Sequence, residues 1–272
     1  MTVIERPQRS DWQVFQLLAD QEGWRVPELE LELFQNIAPD SAAVARQREC
    51  CRGFVTALGH QRSGWIGNLI VARDSRGCGI GQRLFLHAVD ELQKQGVEEQ
   101  WLTASAQGRP LYERHGFRSV GRVRRWFTSG TGEGGEVSPS AAAVAVLQAR
   151  DQSVWGENRS CLLDHLCSRG HILSVGGSCA LLQRDRHFDS LGPWYSDVPR
   201  YSEAVDLLGQ ARALTPAGKE LVLDAYPSAV IEKALRRVGF QCRGETELMM
   251  LGDAPVVDFR RLHALASLGS MG

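Results

Sequence analysis

Six consecutive residues, Arg76-Gly77-Cys78-Gly79-Ile80-Gly81, place three glycines at alternate positions. They follow an apolar, strand-like run (65–72) and precede a helical pattern that opens near Gln82. A loop of this kind, closing one strand and opening one helix, turns free backbone N–H groups and the positive helix end toward one point. Glycine also lets the main chain come close to an anion and form a nest of N–H donors. A diphosphate fits such a place. About thirty residues on, Leu111-Tyr112-Glu113-Arg114-His115-Gly116-Phe117 supplies a phenol and an imidazole on a short helix.

The elements that position these groups can be read from periodicity. A short strand is expected around Ile4. A helix follows over 11–21 with Ser10 as N-cap, and a second begins at Pro27 with Leu29, Leu31, Leu33, Phe34 and Ile37 on its face. Strands are expected over 42–47, 52–59, 65–72, 100–104 and 118–128, with helices over 79–95 and 110–115. The glycine-rich stretch 128–140 has no periodicity and reads as a linker. Beyond it the order recurs: a helix over 160–168, a hairpin over 171–184 turned at Gly176-Gly177, a helix over 202–213, a strand over 220–225, a helix over 229–238 and a last strand after Gly239-Phe240. Pro227-Ser228 and Gly239-Phe240 echo Arg109-Pro110 and Gly116-Phe117, which suggests an internal duplication.

Composition narrows the function class. The 272 residues are 43% hydrophobic and 23% charged, with a formal net charge of −1. That balance gives no electrostatic reason to expect nucleic acid or an anionic membrane as partner. No apolar run reaches membrane-spanning length and the N-terminus does not resemble a signal peptide, so a cytoplasmic location is expected. Seven scattered cysteines without a Cys-x-x-Cys pair indicate neither a disulfide framework nor a metal site.

The set Arg76-x-x-Gly79-x-Gly81, between a strand and a helix and followed by Leu111-Tyr112 to Gly116-Phe117, resembles the GNAT superfamily of acyl-CoA-dependent N-acetyltransferases. The resemblance implies acetyl-CoA as cosubstrate. Leu69, Ile70 and Val71 would pair with its pantetheine arm, and Arg76, Gly77, Cys78, Gly79, Ile80, Gly81 and Gln82 would cradle its diphosphate. Tyr112 stands where the family often places a general acid, and His115 where it has no role. Ser105 occupies a pantetheine-contact position that is commonly Asn. Asp20, Glu22 and Asn68 lie where relatives line the acceptor pocket or hold a base, although solvated helix-end residues explain Asp20 and Glu22 equally well. Arg118, Arg122, Arg124 and Arg125 read either as an anion-attracting patch or, preferably, as a solvated strand face.

Leu191 to Trp194, Leu223 to Pro227, Gly239-Phe240 and Glu247 to Gly252 resemble the C-terminal domain of YitH-like tandem acetyltransferases. No Arg-x-x-Gly-x-Gly occurs between 213 and 228. The implied α/β (α+β) architecture is two tandem GNAT-like domains, each a mixed, mostly antiparallel sheet flanked by helices. They comprise 1–128 for the acetyl-CoA-binding domain, 129–140 for the linker, 141–255 for a degenerate domain with Trp194 and Tyr195 as core or pocket aromatics, and 256–272 as a tail. The implied activity is acetyl transfer from acetyl-CoA to a primary amine on a small molecule, by direct attack, in a monomer or homodimer. A non-catalytic acyl-CoA sensor is the alternative.

Overall fold

The computed structural model describes residues 2–134 and 138–272. The first half runs β1 (Val3–Glu5), α1 (Arg9–Gln21), α2 (Glu28–Glu32), a π-helical turn (Leu33–Ile37), β2 (Ala42–Gln47), β3 (Cys50–Gly59), β4 (Ser63–Val71), α3 (Ile80–Lys94), β5 (Glu99–Ala104), α4 (Arg109–Arg114) and β6 (Arg118–Ser129). The second half runs α5 (Ala141–Trp155), α6 (Ser160–Cys167), β7 (Gly170–Val175), β8 (Ser178–Gln183), β9 (Phe188–Ser196), α7 (Tyr201–Leu214), β10 (Glu220–Ala225), α8 (Ala229–Val238), β11 (Gln241–Leu251) and β12 (Leu262–Ala264). The same succession therefore occurs twice: three strands, a helix, a strand, a shorter helix and a closing strand.

The described strands form one mixed, mostly antiparallel sheet in the order β1-β2-β3-β4-β5-β11-β6-β10-β12-β9-β8-β7. The two repeats do not stand as separate sheets. β11, from the second repeat, pairs antiparallel with both β5 and β6, while β6 pairs with β10 across Glu220↔Ser129 to Ala225↔Arg124. Each repeat thus completes its sheet with the closing strand of the other. Cross-half contacts also fix the start of β4. Glu157 accepts the backbone N–H groups of Arg62 at 2.6 Å and Ser63 at 3.0 Å. Buried Arg159 pairs with Asp151 at 2.6 Å, and Tyr195 donates to the same carboxylate.

Parallel pairing in each half is brief. β4 meets β5 only over Ser63↔Glu99 to Trp65↔Trp101, and β9 meets β10 only over Glu220↔Phe188 to Val222↔Ser190. Past those points the strands diverge. In the second half the gap is filled by β12, which pairs with Tyr195 and Trp194 on β9 and Ala225 on β10. The chain then crosses to the first half, where Thr103 donates to the Leu268 carbonyl at 2.6 Å. Gly67 on β4 permits this passage, because a Cβ there would lie 2.1 Å from the Gly269 carbonyl oxygen.

Several expectations change. Gln8, not Ser10, caps α1, and its backbone N–H donates to Asp11 at 2.7 Å. Residues 256–272 are no free tail: Leu262 to Ser267, Ser270 and Met271 are buried apart from Leu268 and Gly269. The apolar residues of this segment, like those of β9 and β12, follow neither a helical nor a strand period, and so gave no local sign of that packing. The linker region contains isolated bridges at Gly130 and Gly132 to Ala217 and Pro216, and residues 135–137 lie outside the described residues. Trp194 and Tyr195 are wholly buried in the core. The link equivalent to the glycine loop is 197–200 between β9 and α7, earlier than the 213–228 interval, and it contains no glycine.

Candidate active site

The glycine loop has the backbone that its sequence demands. Gly77 and Gly79 both have φ of +77°, a left-handed conformation that side chains disfavour, and a Cβ at either would meet nothing within 4 Å. Gly79 is the N-cap of α3, whose Ile80, Leu84, Phe85, Ala88 and Leu92 are buried against the sheet. Among the described residues, no backbone carbonyl takes the N–H of Gly77, Cys78 or Gly79. The first turn of α3 leaves the N–H groups of Ile80, Gly81 and Gln82 without intrahelical partners as well. Arg76 braces the loop, donating to the Val71 carbonyl at 3.0 Å and to Glu22 at 2.9 Å.

β4 leads from this loop into the divergence. Its register against β3 shifts between Phe54↔Ile70 and Thr56↔Gly67, a bulge centred on Asn68, whose φ is +52°. Bulges bend a strand and leave polar groups outside the ladder. Beyond Trp65 the β5-facing edge of β4, including Leu69, Ile70 and Val71, has no strand partner among the described residues. An extended amide-bearing chain can add to such an edge as a strand does.

A cavity of about 190 Å³ opens at the divergence, lined among others by Glu30, Asn68, Leu69, Ser105, Tyr112 and Arg125. Tyr112 is buried against Phe85, with ring centroids 5.1 Å apart, and burial pushes its phenol up to about 12. It is therefore protonated at neutral pH. Ser105 accepts the N–H of Gly108 at 3.1 Å and so holds the turn that leads into α4.

Glu30 on α2 is the group that sequence reasoning missed. Its carboxylate accepts from Asn68 Nδ2 at 2.8 Å and from Ser267 Oγ at 2.9 Å. Burial raises its pKa above the ordinary carboxylate value, against the lowering effect of the neighbouring Ser270, Asn68 and Ser267 side chains and of nearby Arg125. The Pro-Glu-Leu-Glu-Leu-Glu-Leu pattern over 27–33 gave no sign of which glutamate turns inward, since its partners come from β4 and the far end of the chain.

The structure brings Asn68 to the cavity but not Asp20 or Glu22. Asp20 is exposed on α1. Glu22 is held by Arg73 at 3.0 Å and Arg76 at 2.9 Å, which lower its pKa and make it a brace for the loop. The arginine cluster divides by face. Arg122 and Arg124 pair with Glu245 on the surface, whereas Arg125 lines the cavity and is clamped by Asp224 through two 2.7 Å bonds.

Residues 12–117 match the family model described as Acetyltransferase (GNAT) family. The matched stretch holds the glycine loop, β4 and Tyr112 and is similar to the GNAT acetyltransferases. The match supports an acyltransferase, and the loop and the open β4 edge fit acetyl-CoA as its cosubstrate. No curated protein sequence matches the chain. Among solved structures, a proposed acetyltransferase from Pyrococcus horikoshii superposes with a TM-score of 0.80 at 18% identity, covering 99% of this chain and 95% of the other. A GCN5-related N-acetyltransferase from Sphaerobacter thermophilus does so with a TM-score of 0.67 at 14% identity, covering 94% and 97%. One from Anabaena variabilis has a TM-score of 0.56 at 12% identity, covering 92% and 72%. At these identities the likeness concerns the fold, and it extends through both halves of the chain. Among the described residues, no helix is long and apolar enough to cross a membrane.

Proposed function

We propose that the protein transfers the acetyl group of acetyl-CoA to the primary amine of a small molecule, by direct attack, at the cavity between β4 and β5. The observation that carries this reading is the presence of Glu30 and Tyr112 on one cavity, reached along the open edge of β4 from the glycine loop. Gly77 to Gln82 would bind the diphosphate and Leu69 to Val71 the pantetheine, setting the thioester at the cavity mouth. Main-chain N–H groups near Leu69 to Val71 would stabilise negative charge on the thioester oxygen.

Glu30 is the proposed base. An amine has a pKa near ~10 and must shed a proton before it can attack; a carboxylate with a raised pKa accepts that proton more readily than an ordinary one. Tyr112 is the proposed donor to the departing sulfur. A free thiol has a pKa near ~8.5, so full proton transfer from a phenol at about 12 costs about 5 kcal/mol. Its role is therefore a hydrogen bond to the thiolate, with the proton arriving from the amine nitrogen.

The second half is proposed to shape the acceptor side and to hold no acyl-CoA of its own. Its strand divergence contains β12, and its 197–200 link lacks the glycines that would admit a diphosphate. Calorimetric titration with acetyl-CoA, followed by assay of free CoA thiol over an amine panel, tests the whole reading. One binding site and amine-dependent thiol release are expected. Binding without turnover on any amine would make the chain an acyl-CoA sensor instead.

A further inference from the structure

The acceptor cavity carries a second polar cluster, away from the proposed base. Arg125 projects into it from β6, with Nε and Nη2 engaged by Asp224, while Nη1 bonds to no group among the described residues. Thr246 on β11 also lines the cavity, and its buried Oγ1 has no hydrogen-bond partner. Burying a hydroxyl unpaired is unfavourable, and an Arg N–H in a low-dielectric pocket is a strong donor toward an anion. Both groups therefore call for an acceptor oxygen that the protein does not supply.

The charges around the cavity agree. Arg125 is balanced by Asp224, and Arg25, at the cavity rim, pairs with Glu220 at 3.2 Å. Glu30 alone has no ion-pair partner among the described residues, which leaves room for one ammonium group. A ligand with only that group would satisfy Glu30 and strand Arg125 Nη1 and Thr246 Oγ1. A ligand with a carboxylate a few atoms from its amine satisfies all three. The space, about 190 Å³, must accommodate the acetyl group too, which favours a compact acceptor.

Building on the proposed acetyl transfer, we infer that the acceptor is a compact amino-acid-like zwitterion. Its amine faces Glu30 and its carboxylate is bound by Arg125 Nη1 and Thr246 Oγ1. The planar guanidinium suits this second task, because it presents a free N–H edge while its other edge is held in place.

Matched pairs test the inference: alanine against ethylamine, β-alanine against ethylamine, and 4-aminobutanoate against propylamine. CoA thiol release is read for the wild type and for Thr246→Val. At least one carboxylate-bearing member should exceed its partner by tenfold or more in kcat/KM, and Thr246→Val should shrink that ratio at least threefold. Equal or better turnover of the decarboxylated amines overturns the inference and leaves acetyl transfer intact. If nothing is acetylated, calorimetry of the same pairs on protein saturated with CoA decides. Selective binding of the carboxylate-bearing members upholds the pocket chemistry while removing the enzymatic reading, and no selective binding removes the inference.

Discussion

Asn68 donates its side-chain amide to Glu30 across 2.8 Å, joining the bulged strand β4 to helix α2 inside the cavity. The bond depends on the left-handed backbone of Asn68, a conformation that Asn adopts more readily than most residues. One feature of β4 thus opens an edge toward the cosubstrate and orients the proposed base.

Replacing Glu30 with Gln keeps the shape and the contacts with Asn68 and Ser267 but removes the proton acceptor. We expect kcat/KM for the amine to fall about 10²–10⁴-fold, the usual worth of a positioned base, with acetyl-CoA affinity unchanged. Stopped assays together with titration calorimetry check both halves of that statement. Full activity in the variant would remove Glu30 from the mechanism.

The pH profile follows from the direction of the same shift. Glu30 acts only when ionised, and its pKa lies above the ordinary value of 4.5. The acid limb of kcat/KM should therefore rise above pH 4.5 and be absent from Glu30→Gln. Tyr112 acts protonated, and its pKa of about 12 places no descending limb of its own below pH 10. Tyr112→Phe should slow turnover without changing the acid limb or cosubstrate affinity. A profile measured from pH 5 to 10 for the three proteins tests this.

Gly79→Glu should abolish acetyl-CoA binding, because an anion then occupies the proposed diphosphate position. Gly79→Ala separates space from backbone. No atom blocks its Cβ, so the φ of +77° alone should lower stability by about 1–2 kcal/mol, read by denaturant unfolding. Wild-type binding in Gly79→Glu would refute the loop assignment.

Local elements were legible in the sequence wherever a period or a glycine position carried a backbone requirement. β2, β10 and α8 have the expected ends, and the loop before α3 has the expected left-handed glycines. What escaped was set by distant partners. β11 lies between β5 and β6, more than a hundred residues from either, and nothing local in its sequence encodes that exchange. Glu30 escaped likewise: it is one of three alternating glutamates, and only Asn68, Ser267 and Ser270 distinguish it. Asp20 and Glu22 seemed better placed because chain order, unlike packing, is visible in a sequence.

Gly67→Val should disturb the crossing of the chain beneath the cavity. Its Cβ would lie 2.1 Å from the Gly269 carbonyl oxygen and 2.5 Å from the Ser270 Cα, both of them backbone atoms that cannot rotate away. Displacing this segment withdraws Ser267 and Ser270 from Glu30. We expect a destabilisation of about 1–3 kcal/mol from overpacking, and a larger loss of amine-dependent turnover than of acetyl-CoA affinity. Proportionate losses of both would show that the segment merely supports the fold.

His263 on β12 makes the fit of the second strand divergence sensitive to acid. The ring is buried, contacts Ser196 and meets Trp194 edge-on at 5.5 Å, and burial lowers its pKa to about 4. Its unfolded value is near 6.5, so between pH 6.5 and 4 the unfolded chain binds a proton that the folded chain refuses. Stability is then lost as pH falls through that window, by about 3 kcal/mol in total for this group. Half-buried His60, lowered to about 3, adds in the same direction. His263→Gln should therefore show a shallower decline in Tm between pH 7 and pH 4.5 than the wild type, whatever its Tm at neutral pH. Parallel declines would mean that β12 leaves the divergence before its histidine is protonated.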